Sequence, residues 1–402
     1  MAWYKFGFGR GGDSIQTGTQ NPLPATRTKN VTFDQAMAVS ACWASTRLLT
    51  ETVAAMPIQC FDRDIKTNVK TPNTDYDLWR LINYRPNRYQ TRTEFIEQIM
   101  LNLVTWGNSY VVIERTSRRI VSLLPLSSSQ MEVDLLANGD RVYKYTTPDS
   151  SIKVYADSSI WHIKSFGNGI VGLSPLGYAS NTIGIAIDQA NRAGELSANG
   201  GKTNGVLTVD QALKPEQREQ IKQSFSGMQQ GNQAELFVLE AGFNYQQTSL
   251  SPTDMELQDS RRFSIEDIAR FYGVPSVLIN DTASGTTWGS GIEQINMGFY
   301  KLNLKPYLER IESSIKRHLM PMSDQENIDI EFNFDSLLRA DKSTRLDAQA
   351  KAVNAGLLKP NEGRAEEGLP PESGGDTIYL NGTLVPAGTT QRQVQADANN
   401  GA

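Results

Sequence analysis

The sequence predicts an α+β chain built from several domains. Three observations carry this. The hydrophobic period changes from 3.6 to 2 near Gly107. A small strand and helix module, residues 201–252, is bracketed by two helical patterns. An alternating strand, residues 328–334, follows a long helix and supplies the earlier domain with a further strand. The chain of 402 residues, 39% hydrophobic and 21% charged, allows two or three domains with ordinary cores.

The formal net charge is −5. A static, tight DNA binder carries a basic surplus, because phosphate neutralisation dominates its affinity; this chain has none overall. Two cysteines, Cys42 and Cys60, and two histidines, His162 and His318, lie too far apart in sequence for a zinc site of ordinary spacing. The opening MAWYKFGFGRGG has no apolar run of signal-peptide length, and no window reaches the roughly 18 apolar residues of a membrane span. Both cysteines are therefore expected as free thiols.

Residues 1–29, rich in Gly, Thr, Gln, Asn and Pro, read as a mobile arm. A helix is predicted over 33–55, with Thr32 or Asp34 as cap and Pro57 as stop. A strand follows at 58–62, and a short helix from Asp77 stops at Arg85-Pro86-Asn87. A second long helix, 93–106, ends at Gly107. Strands are expected at 109–115, 120–125, 130–135, 142–146 and 160–166, with Asn138-Gly139 as a hairpin turn.

Ser174 and Pro175 open a helix to about Asn199, with Ile183, Ile187, Ala190 and Leu196 as its apolar stripe. In the inserted module, 206–209, 235–239 and 243–247 read as strands and 214–228 as a helix. A helix at 254–272 has Phe263, Ile268 and Tyr272 or Phe271 inward and Glu266/Arg270 at i,i+4. After a Gly273-Val274-Pro275 turn and a polar loop, a long helix carries Ile292, Ile295, Phe299, Leu302, Leu308, Ile311, Ile315 and Leu319 on its apolar stripe. Pro306 should kink it. Helices at 341–355 and from Lys359-Pro360 come last, and a Gln/Asn-rich tail follows.

Gly167-Asn168-Gly169-Ile170-Val171-Gly172 is a literal GxGxxG. The helix start signals come after it, however, and the preceding strands read as antiparallel hairpins, so a dinucleotide site is disfavoured against a flexible hinge. The loop 280–291 is glycine-rich and enters a helix, yet no Lys or Arg lies between Asn280 and Tyr300, which disfavours a phosphate cradle. Trp288 at its centre offers a stacking surface. The basic excess of the following helix (Lys301, Lys305, Arg310, Lys316 and Arg317 against Glu293, Glu309 and Glu312) reads more readily as a solvated face than as a nucleic-acid face. Neither histidine has the partners of a nucleophilic triad.

Five stretches in order give the chain a resemblance to a known family: FDQAMAVSACWASTRLLTETVAAMPIQCF, TWGNSYVVIER, GLSPL, FYGVPSVLIND with GIEQINMGFYKLNLKPYLERIE, and LKPNEGRAEEGLPPESGGD. Over roughly 30–386 the chain resembles the portal proteins (head-to-tail connectors) of tailed bacteriophages, in the short-chain branch of long-tailed phages. The tunnel-loop region departs from the pattern through Trp288 and its threonines.

The resemblance implies a portal fold assembling as a ring, usually of twelve subunits, that passes double-stranded DNA. It implies a wing (30–173 with 328–334), stem helices (174–200 and 253–279), an inserted α/β clip (201–252), a tunnel loop (280–291), a kinked helix and wing strand (292–336), a helical crown (337–386) and a tail (387–402). Channel-lining residues would be Thr282, Ser284, Gly285, Thr286, Thr287, Trp288, Gly289 and Ser290. Clip residues facing the terminase large subunit and the head-completion adaptor would be Lys214, Glu216, Arg218, Lys222 and Gln229. The major capsid protein and scaffold are further implied partners, and the place is the virion, after assembly in the host cytoplasm. No catalytic role, cofactor, metal or membrane is implied. The runner-up is a dinucleotide-binding enzyme using Gly167 to Gly172.

Overall fold

The computed structural model describes residues 14–15, 31–117, 119–198, 205–209, 243–247, 253–279, 290–334 and 342–379. The chain divides into two compact units, residues 1–333 and 334–402.

The first unit begins with β1 (Ser14–Ile15), two residues of the expected mobile arm that pair with Asp134 and Val133. Two helices then replace the single one read over 33–55: α1 (Phe33–Met37) and α2 (Ser40–Ala55). Thr32 caps α1 through a capping box with Gln35. The break at Ala38 and Val39 left no glycine or proline signal in the sequence. β2 (Ile58–Arg63), β3 (Lys70–Pro72) and α3 (Asp77–Tyr84) follow. α4 (Arg92–Trp106) has its own capping box, Thr91 with Glu94, and ends at Gly107 in the left-handed region, φ +73°.

Beyond Gly107 the chain is strand: β4 (Asn108–Thr116), β5 (Arg119–Leu126), β6 (Met131–Leu135), β7 (Arg141–Thr146), β8 (Ile152–Ala156) and β9 (Ile160–Lys164). Among the described residues all strand pairings are antiparallel. One sheet has the order β5-β4-β9 and a second β1-β6-β7-β8. Tyr110, Leu126, Met131, Val133, Tyr143, Ile160 and Val171 form a buried cluster between them.

α5 (Pro175–Ala198) packs against α6 (Thr253–Tyr272), and β10 (Gly205–Val209) pairs with β11 (Phe243–Gln247) in the segment between them. On α5, Ile183 is buried, but Ala190 is exposed and so lies off the stripe assigned to it. α7 (Ser290–Phe299), a π turn (Tyr300–Leu304) and α8 (Lys305–His318) form the long helix. β12 (Ile328–Phe332) then pairs with β2, in the order β12-β2-β3.

In the second unit, α9 (Lys342–Asn354) closes at Gly356, φ +69°. α10 (Pro360–Glu366) follows. Asn361, only 8% exposed, ties the LPPESGGD stretch back: its Oδ1 accepts from Glu372 N at 2.8 Å and its Nδ2 donates to Glu372 O at 3.0 Å.

Candidate functional site

The loop 280–289 lies outside the described residues, with Thr282, Ser284, Gly285, Thr286, Thr287, Trp288 and Gly289; Ser290 is the first residue of α7. Its two flanks are described, and they meet. α6 ends in a Schellman arrangement. Gly273, φ +67°, donates to Arg270 O at 3.1 Å, and Val274 N donates to Ala269 O at 2.9 Å. Val274 is buried, and Pro275 begins a short 3-10 turn, Ser276–Ile279. A side chain at Gly273 would meet Asn303 Oδ1 at 3.0 Å. Asn303 belongs to the π turn on the far side of the loop, so the chain entering the loop touches the helix that leaves it.

The π turn sets the register of that helix. Lys305 N donates to Tyr300 O, an i to i−5 bond. Pro306 sits in the first turn of α8. In an unbroken α-helix its ring would press on the Leu302 carbonyl and leave that carbonyl without a donor. The wider turn accommodates both effects.

One extra residue shifts the apolar stripe. Phe299 is buried, and the next buried position is Leu304, five residues on, followed by Leu308, Ile311, Ile315 and Leu319. Leu302, assigned to the stripe from the sequence, is 75% exposed. Phe263 on α6 is corrected in the same way: it is 61% exposed, while Ile268 and Tyr272 point in. An Arg270 guanidinium lies 5.9 Å from the Phe263 ring, and Arg270 also pairs with Glu266 at 3.0 Å.

α8 is fastened to both neighbouring sheets. Trp161 on β9 donates from Nε1 to Ser314 Oγ at 2.8 Å. Glu312 accepts from Phe332 N at 2.8 Å, and burial raises its carboxyl above the usual range. Lys316 pairs with Asp329 at 3.1 Å, and Lys305 faces Glu309 at 3.6 Å. Two of the cations in the helix's basic excess are thus matched by carboxylates.

The Gly167 to Gly172 stretch is a bonded buckle, not the flexible hinge expected. Gly167 and Gly172 bridge each other. Asn168 Oδ1 accepts from Ile170 N and Val171 N, both at 2.9 Å, and Leu173 N donates to Phe166 O at 2.7 Å. Asn108 Oδ1 takes Gly172 N at 2.7 Å and Asn108 Nδ2 donates to Gly172 O at 2.9 Å. The amides that would cradle a pyrophosphate are consumed. The helix begins later, with Ser174 Oγ accepting from Gly177 N at 2.9 Å. The glycines serve close packing: a Cβ on Gly172 would meet Gly107 O at 1.9 Å, and one on Gly107 would meet Leu173 O at 2.0 Å.

His162 lies beside this buckle, 1% exposed. Its ring stacks on Tyr110 at 4.4 Å; Nε2 contacts Asn108 Oδ1 at 3.0 Å and Nδ1 contacts Tyr143 Oη at 3.3 Å. Burial, with Lys164 and Arg141 nearby, holds it well below its ordinary value and keeps it neutral. Among the described residues nothing nucleophilic is aligned with it; its role is to seat Asn108. Among the described residues no group of three or more His, Cys, Asp or Glu could hold a metal, and no helix is long and apolar enough to cross a membrane. Lys214, Glu216, Arg218, Lys222 and Gln229, with the helix at 214–228 and strand at 235–239, lie outside the described residues.

Antiparallel sheets joined to paired helices, with the end of α6 lying against a π-interrupted helix, define a class that comparison with known proteins resolves. The family model "Phage portal protein" matches residues 40–368. The portal protein of Enterobacteria phage HK97 is 35% identical over 375 residues, covering 92% of this chain and 88% of that protein. A probable portal protein of Streptomyces phage phiC31 is 27% identical, covering 85% and 77%. Among solved structures, the neck of an empty gene transfer agent particle, computed with C6 symmetry, matches with a TM-score of 0.61 at 24% identity over 87% of this chain and 96% of that one. An HK97-family phage portal protein from Corynebacterium diphtheriae matches with a TM-score of 0.57 at 15% identity, over 77% and 98%. The fold is the portal fold. The chain belongs to the phage portal protein family.

Proposed function

We propose that twelve copies of this chain form a ring at one capsid vertex, through which double-stranded DNA enters and leaves. The family match over 40–368 carries the reading. The described flanks of the 280–291 loop support it. The Gly273 turn before the loop lies against Asn303 in the π turn beyond α7, so α6 and the helix that follows the loop are held together at that level. A loop of Thr, Ser and Gly offers hydrogen bonds without strong charge, which suits DNA that must slide; each added phosphate contact raises affinity and hinders movement. Trp288 stacks against DNA or a neighbouring loop, and the long helix bends at Pro306 as the loop shifts.

Residues 201–252 are the clip that meets the terminase large subunit and then the head-completion adaptor. Residues 30–173 with β12 are the wing, and 337–386 the crown, which face the capsid protein and scaffold. Force comes from the packaging ATPase.

Native mass of the purified ring tests the assembly: a monomer or dimer would sink the reading. DNA packaged per procapsid with Trp288→Ala tests the loop; unchanged packaging and retention would remove Trp288 from the account.

A further inference from the structure

α3 and the turn after it present cations that the proposed channel, clip, wing and crown leave without a task. Between Leu78 and Thr93 the chain has four arginines and no Asp or Glu, within a protein of net charge −5. Arg80, Arg85 and Arg88 are exposed. Among the described residues no carboxylate lies within ion-pair distance of any of the three. Their neighbours differ: Arg119 pairs with Asp77 at 2.9 Å, and Arg92 donates to Met56 O at 2.7 Å. Two large rings share the stretch, Tyr84 at 74% and Tyr89 at 67% exposed. The Arg88 guanidinium lies 4.6 Å from the Tyr89 ring centroid.

A basic run on a surface is most often just solvated. Here the backbone beneath is fixed. Asn87, 4% exposed, accepts on Oδ1 from Tyr89 N at 2.9 Å and Gln90 N at 3.0 Å, and donates from Nδ2 to Leu123 O at 2.9 Å. Leu123 N donates to Pro86 O at 2.8 Å, and Gln90 Nε2 donates to Gln98 Oε1 at 2.6 Å. Trp79 Nε1 donates to Ile58 O at 2.8 Å and its ring meets Tyr84 edge-on at 6.0 Å. α3 is tied to β2 and the turn after it to β5 and α4, so the backbone that carries these arginines and tyrosines is already ordered before binding and only side-chain rotamers remain to be fixed.

Planar guanidinium forks match phosphate oxygens, and a tyrosine ring lies against sugars or stacks on bases. We propose that the Arg80 to Tyr89 face is a second, sequence-independent contact for the phosphate backbone of duplex DNA, separate from the 280–291 loop. The choice of duplex DNA as occupant rests on the portal reading; the charge complementarity to a polyanion does not.

The test uses assembled full-length ring and a random-sequence DNA duplex, with affinity measured by fluorescence anisotropy across a salt series. Three proteins are compared: wild type, Arg80→Gln/Arg85→Gln/Arg88→Gln, and Trp288→Ala. Native mass on the same samples reports the ring, so failure to assemble is seen independently of weaker DNA binding. In an assembled ring the triple variant should bind about tenfold or more weakly at low salt. Its salt slope should be shallower by about 0.9 for each phosphate it no longer neutralises. Trp288→Ala should keep the wild-type slope. An intact triple-variant ring with wild-type affinity and slope overturns the proposal. So does a triple variant that keeps duplex binding but binds poly-glutamate more weakly, which would assign the face to an acidic protein.

Discussion

The π turn makes a paired prediction that an unbroken α-helix does not. Leu304 is fully buried and Leu302 is 75% exposed, though only one residue separates them. Truncating Leu304 to Ala removes a side chain whose burial is worth about 1.5–3 kcal/mol and leaves a cavity beside Leu308, for a total near 2–5 kcal/mol. Leu302→Ala removes a solvated side chain from a helix that tolerates Ala well, and should stay within about 0.5 kcal/mol of wild type. Urea denaturation followed by circular dichroism, with both variants under the same conditions, gives the difference directly. If an α register held through 299–306, Leu302 would sit three residues past Phe299 on the buried stripe and the two costs would approach each other. Equal losses, or a larger loss for Leu302→Ala, would refute the five-residue step.

Three further outcomes can be checked. Gly172→Ala should destabilise severely or prevent folding, because its Cβ would lie 1.9 Å from the Gly107 carbonyl oxygen; Gly194→Ala, in open space on α5, should stabilise by about 1 kcal/mol, and thermal melts of the two should move in opposite directions. His162 is held well below its ordinary value near 6.5, so the unfolded chain takes up a proton there that the folded chain refuses. The stability it confers is present above pH 6.5 and is lost below it, by up to about 1.4 kcal/mol per pH unit, and His162→Gln should show a flatter decline between pH 7 and pH 5. Burial pushes the thiols of Cys42 and Cys60 up to about 12, so Ellman's reagent should titrate neither in the native protein at pH 8 and both in denaturant.

Local chemistry made much of the fold legible. Thr32, Gly107, and Ser174 before Pro175 each mark a helix end at the residue where the structure has it, whereas the Thr91–Glu94 capping box that opens α4 stands just ahead of the expected start at 93. These ends depend on backbone groups within a few residues, which composition encodes. Other readings failed where the decision was tertiary, as at Ala190 and Phe263, and three are instructive. β8 carries Ile152 and Val154 outward, 65% and 62% exposed, so no buried stripe announced it. The break between α1 and α2, where Val39 is extended, has no Gly or Pro to mark it. Leu302 and Leu304 are alike in kind, and only the spacing from Phe299, read together with Pro306, separates them. Of the candidate site, the flanks were legible through the Gly273-Val274-Pro275 turn. The Asn303 contact with Gly273 left no signal, since an Asn in a helix is compatible with many surroundings.

The long helix that leaves the loop is out of phase with itself. α8 is tied to Trp161, Phe332 and Asp329, and its stripe is dictated by those sheets. α7 lies beyond a surplus residue, with Phe299 at its end as the buried anchor among its described side chains. Each residue added to or removed from the π turn would turn α7 by about 100° and displace it by about 1.5 Å, with α8 unmoved. The turn works as a vernier between a fixed scaffold and α7. A single-residue step there would also carry the buried Phe299 around the axis, so only α7 and its one anchored ring would have to repack.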